Sequence, residues 1–378
     1  WWIWKAGQEP KDRDRARLIA SLALLDGWNA ERIGGCFDDG PYHPKPLDEA
    51  ERRILKTAQG KEIESKEQPA AIRNEYPEWM EHLLRARFGD RLEAEMHAAI
   101  DAATTDLRVN TLKATPVEAI AALKAEGIKA LPTRISPVGL SVHGRPPLAN
   151  LQCFKDGLIE VQDEGSQLVA LLVDAKPGQR VVDFCAGAGG KTLAIAAQMK
   201  NKGKIFACDV LQGRVDRAAV RFNRAGIFNV ERKGLSSERD PWVKRHAGDF
   251  DRVLVDAPCT GTGTWRRNPD AKWKLSPQDL EELTALQRRI LDSACRLVKP
   301  GGRLIYATCS LLAEENEAQI AHFLSHHEEF KLLPLPYVWF DAIGGTPPEE
   351  GAMLSLTPAR HGTDGFFAAI LERQKAAA

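Results

Sequence analysis

The sequence predicts an α/β fold: a Rossmann-like, doubly wound, mostly parallel sheet with a helical N-terminal domain. Three observations carry that prediction. Apolar residues recur at helical spacing as far as Ala99, short apolar strand runs then alternate with helical stretches, and a glycine-rich turn joins Val181-Val182-Asp183-Phe184 to the helix behind it.

Taken in order, residues 12–25 carry apolar positions at helical spacing, and Leu47-Asp48-Glu49-Ala50-Glu51 opens a second helix after Pro44 and Pro46. Arg13, Arg15, Arg17, Arg52, Arg53 and Lys56 punctuate this region, as solvated helix faces or as RNA contacts. Residues 60–69 read as a polar linker and 74–99 as helix again. Residues 107–112 alternate like a strand and 117–126 follow as helix. From Pro177 the alternation is regular: strand at 181–184, helix at 192–200, strand at 205–209, helix through Val220 and strand at 253–256. Ser276 and Pro277 start a helix whose buried face carries Leu280, Leu283, Leu286, Ile290, Leu291 and Leu297. Lys299-Pro300-Gly301-Gly302 stops it, residues 303–308 form a strand, and 365–371 supply a late antiparallel one.

The chain has 378 residues, enough for two or three domains. Its 43% hydrophobic and 28% charged residues describe an ordinary globular protein. No apolar run reaches the length of a membrane span, and no secretory leader stands out, although the chain starts at Trp1. Seven cysteines, with no Cys-x-x-Cys pair, argue against disulfide scaffolds and zinc knuckles, and for a reducing cytoplasm. Lys and Arg total 52, as do Asp and Glu, so any nucleic-acid binding must rest on local charge.

The loop Asp183-Phe184-Cys185-Ala186-Gly187-Ala188-Gly189-Gly190-Lys191-Thr192 has three readings. A phosphate-binding P-loop needs glycine where Cys185 stands, and a dinucleotide fingerprint starting at Gly187 needs one where Thr192 stands. The third is S-adenosylmethionine, whose methionine and ribose need close backbone approach and an acid at the end of the next strand; Asp209 is placed for that. Arg214, on the following helix, is counted with this site.

Cys259 and Cys309 each sit at the end of a predicted strand, and ligands of open α/β sheets bind outside those ends. Both thiols should therefore face one crevice. One thiol suggests a nucleophile, and two suggest that one bonds covalently while the other helps break the bond. Beside the glycine loop, this points to methyl transfer onto a pyrimidine.

At Asp256-Ala257-Pro258-Cys259 and Thr308-Cys309-Ser310 the chain resembles the RNA cytosine-5 methyltransferases of the Sun/Nop family, Fmu type, over roughly residues 75–372. Supporting matches are Arg108-Val109-Asn110-Thr111-Leu112-Lys113, Gln162-Asp163-Glu164-Gly165-Ser166-Gln167, the loop from Gly187 to Thr192, and Thr363-Asp364-Gly365-Phe366-Phe367. The resemblance implies methyl transfer from S-adenosylmethionine to carbon 5 of cytosine in RNA, ribosomal RNA first and transfer RNA as the alternative. It implies Cys309 as nucleophile, Cys259 as the acid/base that resolves the adduct, Asp256 at the Watson–Crick edge of the base, and Lys191 at the base or near the nucleophile. Cys185, Ala186, Gly187, Ala188, Gly189, Gly190, Lys191, Asp209, Arg214 and Asp256 form the expected cofactor site. The family's acid near the adenine is missing; Ser236 or Glu238 is expected to replace it. The domains expected are residues 1–68 as a NusB-like RNA-binding domain, 69–150 as a mixed RNA-recognition subdomain, and 151–378 as the catalytic domain. No obligate oligomer is expected.

Arg108, Asn110, Arg266, Arg267 and Lys272 are expected to contact RNA, with Trp265 and Trp273 nearby for base stacking. The target base must leave its stack to reach the thiols. His322, His326 and His327 share one helix but lack further ligands, so no metal is expected. Cys36, Cys153, Cys208 and Cys295 read as structural. A rival reading, a nucleotide-dependent RNA-binding assembly factor that does not methylate, rests on the P-loop-like turn and Asp256.

Overall fold

The computed structural model describes residues 1–7, 10 and 12–375. The chain forms two compact units, Trp1–Glu78 and Trp79–Ala378. The first is helical: α1 (Trp2–Lys5), α2 (Arg13–Leu24), α3 (Ala30–Cys36), α4 (Glu49–Ala58) and α5 (Ala70–Arg73). Asp12 caps α2 by accepting from the Asp14 and Arg15 amides, and Asp48 and Glu51 form a capping box on α4. These caps satisfy N–H groups that a helix start otherwise leaves orphaned. Ile19, Ile33, Ile54 and Leu55 form the centre of this unit. Of its expected RNA-facing cations, Arg17 and Arg53 are paired within their own helices, to Asp14 at 3.1 Å and Glu49 at 2.6 Å.

The second unit begins with α6 (Glu81–Phe88) and α7 (Leu92–Ile100). The single helix expected over 74–99 is interrupted at Gly89, whose φ of 53° lies in the left-handed region. A four-stranded antiparallel sheet follows, from β1 (Thr105–Val109), β2 (Ala130–Pro132), β3 (Gly139–Val142) and β4 (Ile159–Val161), in the order β2-β3-β1-β4. Helix α8 (Pro116–Ala125) covers it, with Leu107, Val109, Ala119, Leu123 and Leu140 in the core. Strand β4 lies beyond the expected boundary at residue 150, because its pairing with β1 holds it in this sheet.

After α9 (Gln152–Lys155), set just before β4, and α10 (Glu164–Leu172) comes the large sheet. Its strands are β5 (Arg180–Asp183), β6 (Lys204–Asp209), β7 (Val230–Gly234), β8 (Phe250–Asp256), β9 (Val298–Thr308), β10 (Phe330–Leu332), β11 (Leu354–Leu356) and β12 (Phe366–Arg373). The order is β10-β12-β9-β8-β5-β6-β7, with β11 on β12; β5 to β9 run parallel, and β12 is antiparallel to β9. Helices α11 (Gly190–Gln198), α12 (Gln212–Ala225), α13 (Pro241–Arg245), α14 (Pro277–Ala294), α15 (Glu317–His326), α16 (Leu335–Ala342) and α17 (Pro358–His361) complete the unit.

Alternate strand residues face opposite sides of the sheet. Val181, Leu254 and Ile305 join Leu168, Leu193 and Ala218 in one buried layer, and Val182, Val253 and Leu304 join Ile290 and Phe323 in the other. Each such fully buried aliphatic side chain contributes about 1.5–3 kcal/mol. Strands β6 and β8 flank β5, so connections depart to either side of it and leave a crevice at its carboxyl end.

Candidate functional site

Strand β5 ends at Asp183, and the chain turns through Cys185 to Gly189 into α11. Gly189 has φ 77°, and a Cβ there would stand 2.7 Å from the Phe222 ring, so the tight turn requires glycine. Asp209, at the end of β6, fastens this turn. Its Oδ2 accepts from the Gly187 amide at 2.9 Å, and its Oδ1 from the Leu211 amide at 2.8 Å.

A cavity of about 610 Å³ opens above these strand ends. Of the expected residues, Cys185, Ala186, Gly187, Ala188, Gly190, Lys191, Asp209, Arg214, Asp256, Cys259 and Cys309 all line it. Gly189 does not, because its role is the turn against Phe222. Phe184, Leu235, Leu286 and Ile290 supply an apolar wall that the motifs did not single out. Of the two candidates for the missing acid, Glu238 lines the cavity and is 3.2 Å from Arg289, while the Ser236 hydroxyl donates to Asp240 at 2.9 Å. Ser236 is not among the residues that line the cavity, and a neighbouring carboxylate holds its hydroxyl.

Lys191 Nζ lies 2.7 Å from Asp256 Oδ2. Burial pulls the Lys191 pKa down, but attraction to and hydrogen bonding with Asp256 outweigh it, and the ammonium is held above its ordinary range. Burial pushes the Asp183 carboxyl up to about 7, against the lowering effect of the Thr192 hydroxyl that donates to it at 2.7 Å.

The Cys259 and Cys309 sulfurs are 3.5 Å apart. The hydrogen bond to Cys309, followed by burial, holds the Cys259 thiol well above its ordinary pKa. Cys185 is raised as well, chiefly by burial. The loops bearing Cys259 and Cys309 are stitched together by a fully buried carboxylate, Glu315, which the motifs did not reveal. It accepts from the Thr260 amide at 2.9 Å, from the Thr260 hydroxyl, and from Gln287 Nε2 at 3.0 Å. Leu311 N donates to the Thr262 hydroxyl at 2.7 Å, and Gly263 N donates to the Cys309 carbonyl at 2.9 Å. Gly365 N reaches the Gly263 carbonyl at 2.8 Å, and a Cβ on Gly365 would meet Gly263 Cα at 2.7 Å and Leu311 Cδ2 at 2.5 Å. The acidic run Glu314-Glu315-Asn316-Glu317 directly after the Cys309 motif was the available signal.

The residues expected to contact RNA are buried or paired within the protein. Arg108 is 5% exposed and donates to Gln162 and to the Gly190 carbonyl, so it supports the start of α11 from beneath. Asn110 bonds the Gly157 and Ala225 carbonyls, both at 2.9 Å. Arg266 and Arg267 both pair with Asp163 and Asp364, and Lys272 is 2% exposed. Arg266 and Arg267 thereby anchor the segment after Cys259 to the starts of α10 and β12. Trp265 is buried and Trp273 half-exposed. His327 is 3.0 Å from Asp292, and among the described residues no cluster of three or more His, Cys, Asp or Glu forms a metal-holding group.

The family described as 16S rRNA methyltransferase RsmB/F matches residues 170–372, and the ferredoxin-like domain of RsmF/B-like methyltransferases matches 76–149. The chain is 35% identical over 301 residues to the probable ribosomal RNA small subunit methyltransferase B of Synechocystis, covering 79% of this chain and 67% of that protein. It is 34% identical over 325 residues to ribosomal RNA small subunit methyltransferase B of Yersinia enterocolitica, covering 84% and 71%. The chain thus spans about two thirds of the length of the curated relatives it matches. A methyltransferase homologue from Pyrococcus horikoshii superposes with TM-score 0.68 at 30% identity, covering 81% of this chain and 97% of that one. NSun6 from Pyrococcus horikoshii, solved with SFG, shares the fold with TM-score 0.70 at 22% identity, covering 79% and 98%. The family match sets aside the rival reading as an ATP-dependent assembly factor, and the cofactor of the chain is S-adenosylmethionine.

Proposed function

The chain belongs to the RsmB/F family of 16S rRNA methyltransferases, which use S-adenosylmethionine, and from that premise we propose that it methylates carbon 5 of a cytosine in ribosomal RNA through a covalent bond to Cys309. The observation that carries this reading is the 3.5 Å approach of two thiols inside the cofactor cavity.

The residues present fit the cofactor. Asp209 keeps lone pairs for the ribose hydroxyls, Leu235 and Ile290 provide an apolar wall for adenine, and the backbone of Cys185 to Gly187 lies open for the methionine. A cavity of this size suits a nucleoside-sized ligand with a few placed polar groups. S-Adenosylmethionine supplies an electrophilic methyl group.

Carbon 5 of cytosine is a weak nucleophile. As the Cys309 thiolate bonds to carbon 6, the electron pair of the 5,6 double bond moves to carbon 5, which then takes the methyl group. Loss of the carbon 5 proton returns an electron pair to the ring and expels Cys309. Cys259, which adjoins Cys309, is the group that takes up the carbon 5 proton; it does so as a thiolate, which its raised pKa makes strongly basic. Asp256, fixed by Lys191, engages the Watson–Crick edge, and Lys191 steadies negative charge beside the thiols. The helical unit and the small sheet, in this reading, contribute to RNA capture.

Bisulfite mapping of small-subunit ribosomal RNA incubated with the protein and S-adenosylmethionine tests the reading. A new protected cytosine supports it; methyl transfer to any other atom of the RNA overturns it.

A further inference from the structure

If the substrate is RNA, its phosphates need cations that the protein has not already neutralised. Arg266 and Arg267 are paired with aspartates, Arg108 and Lys272 are buried, and the whole chain carries no net charge. A different surface has what they lack. Between α13 and the second half of α14 lies a depression of about 530 Å³ into which Arg239, Lys244, Arg289 and Arg296 converge.

Lys244 and Arg296 are exposed, and among the described residues neither has a carboxylate partner. Arg239, 79% exposed, is 4.0 Å from Glu238 and shares that single carboxylate with Arg289 at 3.2 Å. The two acids of the depression are turned to other work. Asp240 accepts from the Ser236 amide at 2.8 Å and the Trp242 amide at 2.8 Å, bonds that hold its carboxyl down at about 2. Asp292 pairs with His327. The depression also adjoins the reaction site. Arg289 reaches Glu238, which lines the cofactor cavity, and Ile290, the next residue of α14, lines that cavity too.

We propose that this basic depression receives phosphates of the RNA backbone and holds the strand against the catalytic unit. The proposal rests on the RNA-methylating reading above. It assigns sequence-independent capture to α13 and α14 and leaves base selection to the thiol cavity. Phosphate contacts fix the position of a nucleic acid without reading its sequence.

The test uses the full chain with S-adenosylmethionine and a single-stranded oligoribonucleotide from small-subunit ribosomal RNA. Each lost phosphate contact should shallow the slope of log affinity against log salt by about 0.7. Lys244→Gln with Arg296→Gln should therefore reduce the slope by about 1.4 and weaken binding about 25-fold at about 0.1 M salt. Cofactor affinity and the rate at saturating RNA should stay unchanged. Arg217→Gln, an exposed cation of α12 outside the depression, should change neither slope nor affinity by as much. Lys244→Glu should weaken RNA further than Lys244→Gln, and inorganic phosphate should compete only weakly. Unchanged RNA affinity and slope in the double variant would overturn the proposal, as would inorganic phosphate alone saturating the site without displacing RNA. Absence of methyl transfer by the unmodified protein would instead sink the functional reading, since the binding slopes are measured independently of turnover.

Discussion

Lys191 Nζ and Asp256 Oδ2, 2.7 Å apart, join the first turn of α11 to the end of β8 across the floor of the cavity. A charge-assisted hydrogen bond of this kind contributes about 1.5–3 kcal/mol. Lys191→Met should therefore slow single-turnover methylation at saturating cofactor by about ten- to a hundred-fold. Adding Asp256→Asn should slow it by less than the product of the two single effects, because the residues act as one unit. Strictly multiplicative effects would show that the pair is not coupled in the reaction.

The two thiols should fail differently. Cys309→Ala should abolish methyl transfer with cofactor affinity nearly intact. Cys259→Ala should accumulate a protein–RNA complex that survives denaturing electrophoresis and disappears when Cys309 is also replaced. An adduct persisting in the double variant would reverse the roles assigned to the two sulfurs.

Asp209 should matter twice, because the carboxylate placed for the ribose also holds the Gly187 and Leu211 amides. Asp209→Ala is expected to weaken S-adenosylmethionine by about ten- to a hundred-fold, on the scale of 1.4 kcal/mol per decade. Asp209→Asn, which keeps one acceptor oxygen, should fall between. Calorimetry showing unchanged affinity in a folded Asp209→Ala protein would move the ribose contact elsewhere.

Asp183 makes stability depend on pH. Burial raises its carboxyl from 3.8 to about 7, so the folded state binds the proton more tightly than the unfolded state does. Its stabilising contribution is complete below about 3.8, falls as pH rises through that window, and is gone above about 7. Asp183→Asn retains an acceptor for Thr192 and has no charge to bury. Urea unfolding should show the variant gaining on the parent between pH 5 and pH 8 by about 2.7 kcal/mol, the two units from pH 5 to about 7 at about 1.36 per unit. A constant difference across that range would place the pH dependence in another group.

The parallel core was legible because Val181-Val182, Val253-Leu254-Val255 and Leu304-Ile305 are apolar runs, as strands buried on both faces must be. Strand β7 was not: Val230-Glu231-Arg232-Lys233-Gly234 has one apolar residue, and as a sheet edge it leaves Glu231 and Arg232 exposed. That the thiols, the glycine turn and Asp209 would meet around one cavity was legible because each sits at a strand end. The ion pairs of Arg266 and Arg267 and the burial of Lys272 were not legible. Charge in a sequence does not reveal its partner, and Asp163 and Asp364 lie roughly a hundred residues away on either side. The acidic run around Glu315 was visible but its role was not, since its donors belong to the loop of Cys259 and to α14.

The back-to-back approach of Gly263 and Gly365, with the Cys309 carbonyl closing the third side, fixes the order in which the working site can be assembled. The cofactor turn is local: Gly187 and Asp209 are 22 positions apart and can meet as soon as β5 and β6 pair. The thiol seam needs chain ends about a hundred residues apart, a late and slow event in a folding chain. It should also be among the first parts to open when the protein is strained. A Gly365→Ala protein, or one warmed toward its unfolding transition, should therefore lose its reactive sulfur geometry while it still grips the methyl donor. During synthesis the same asymmetry delays reactivity, because β12, which closes the seam, emerges long after β5 and β6.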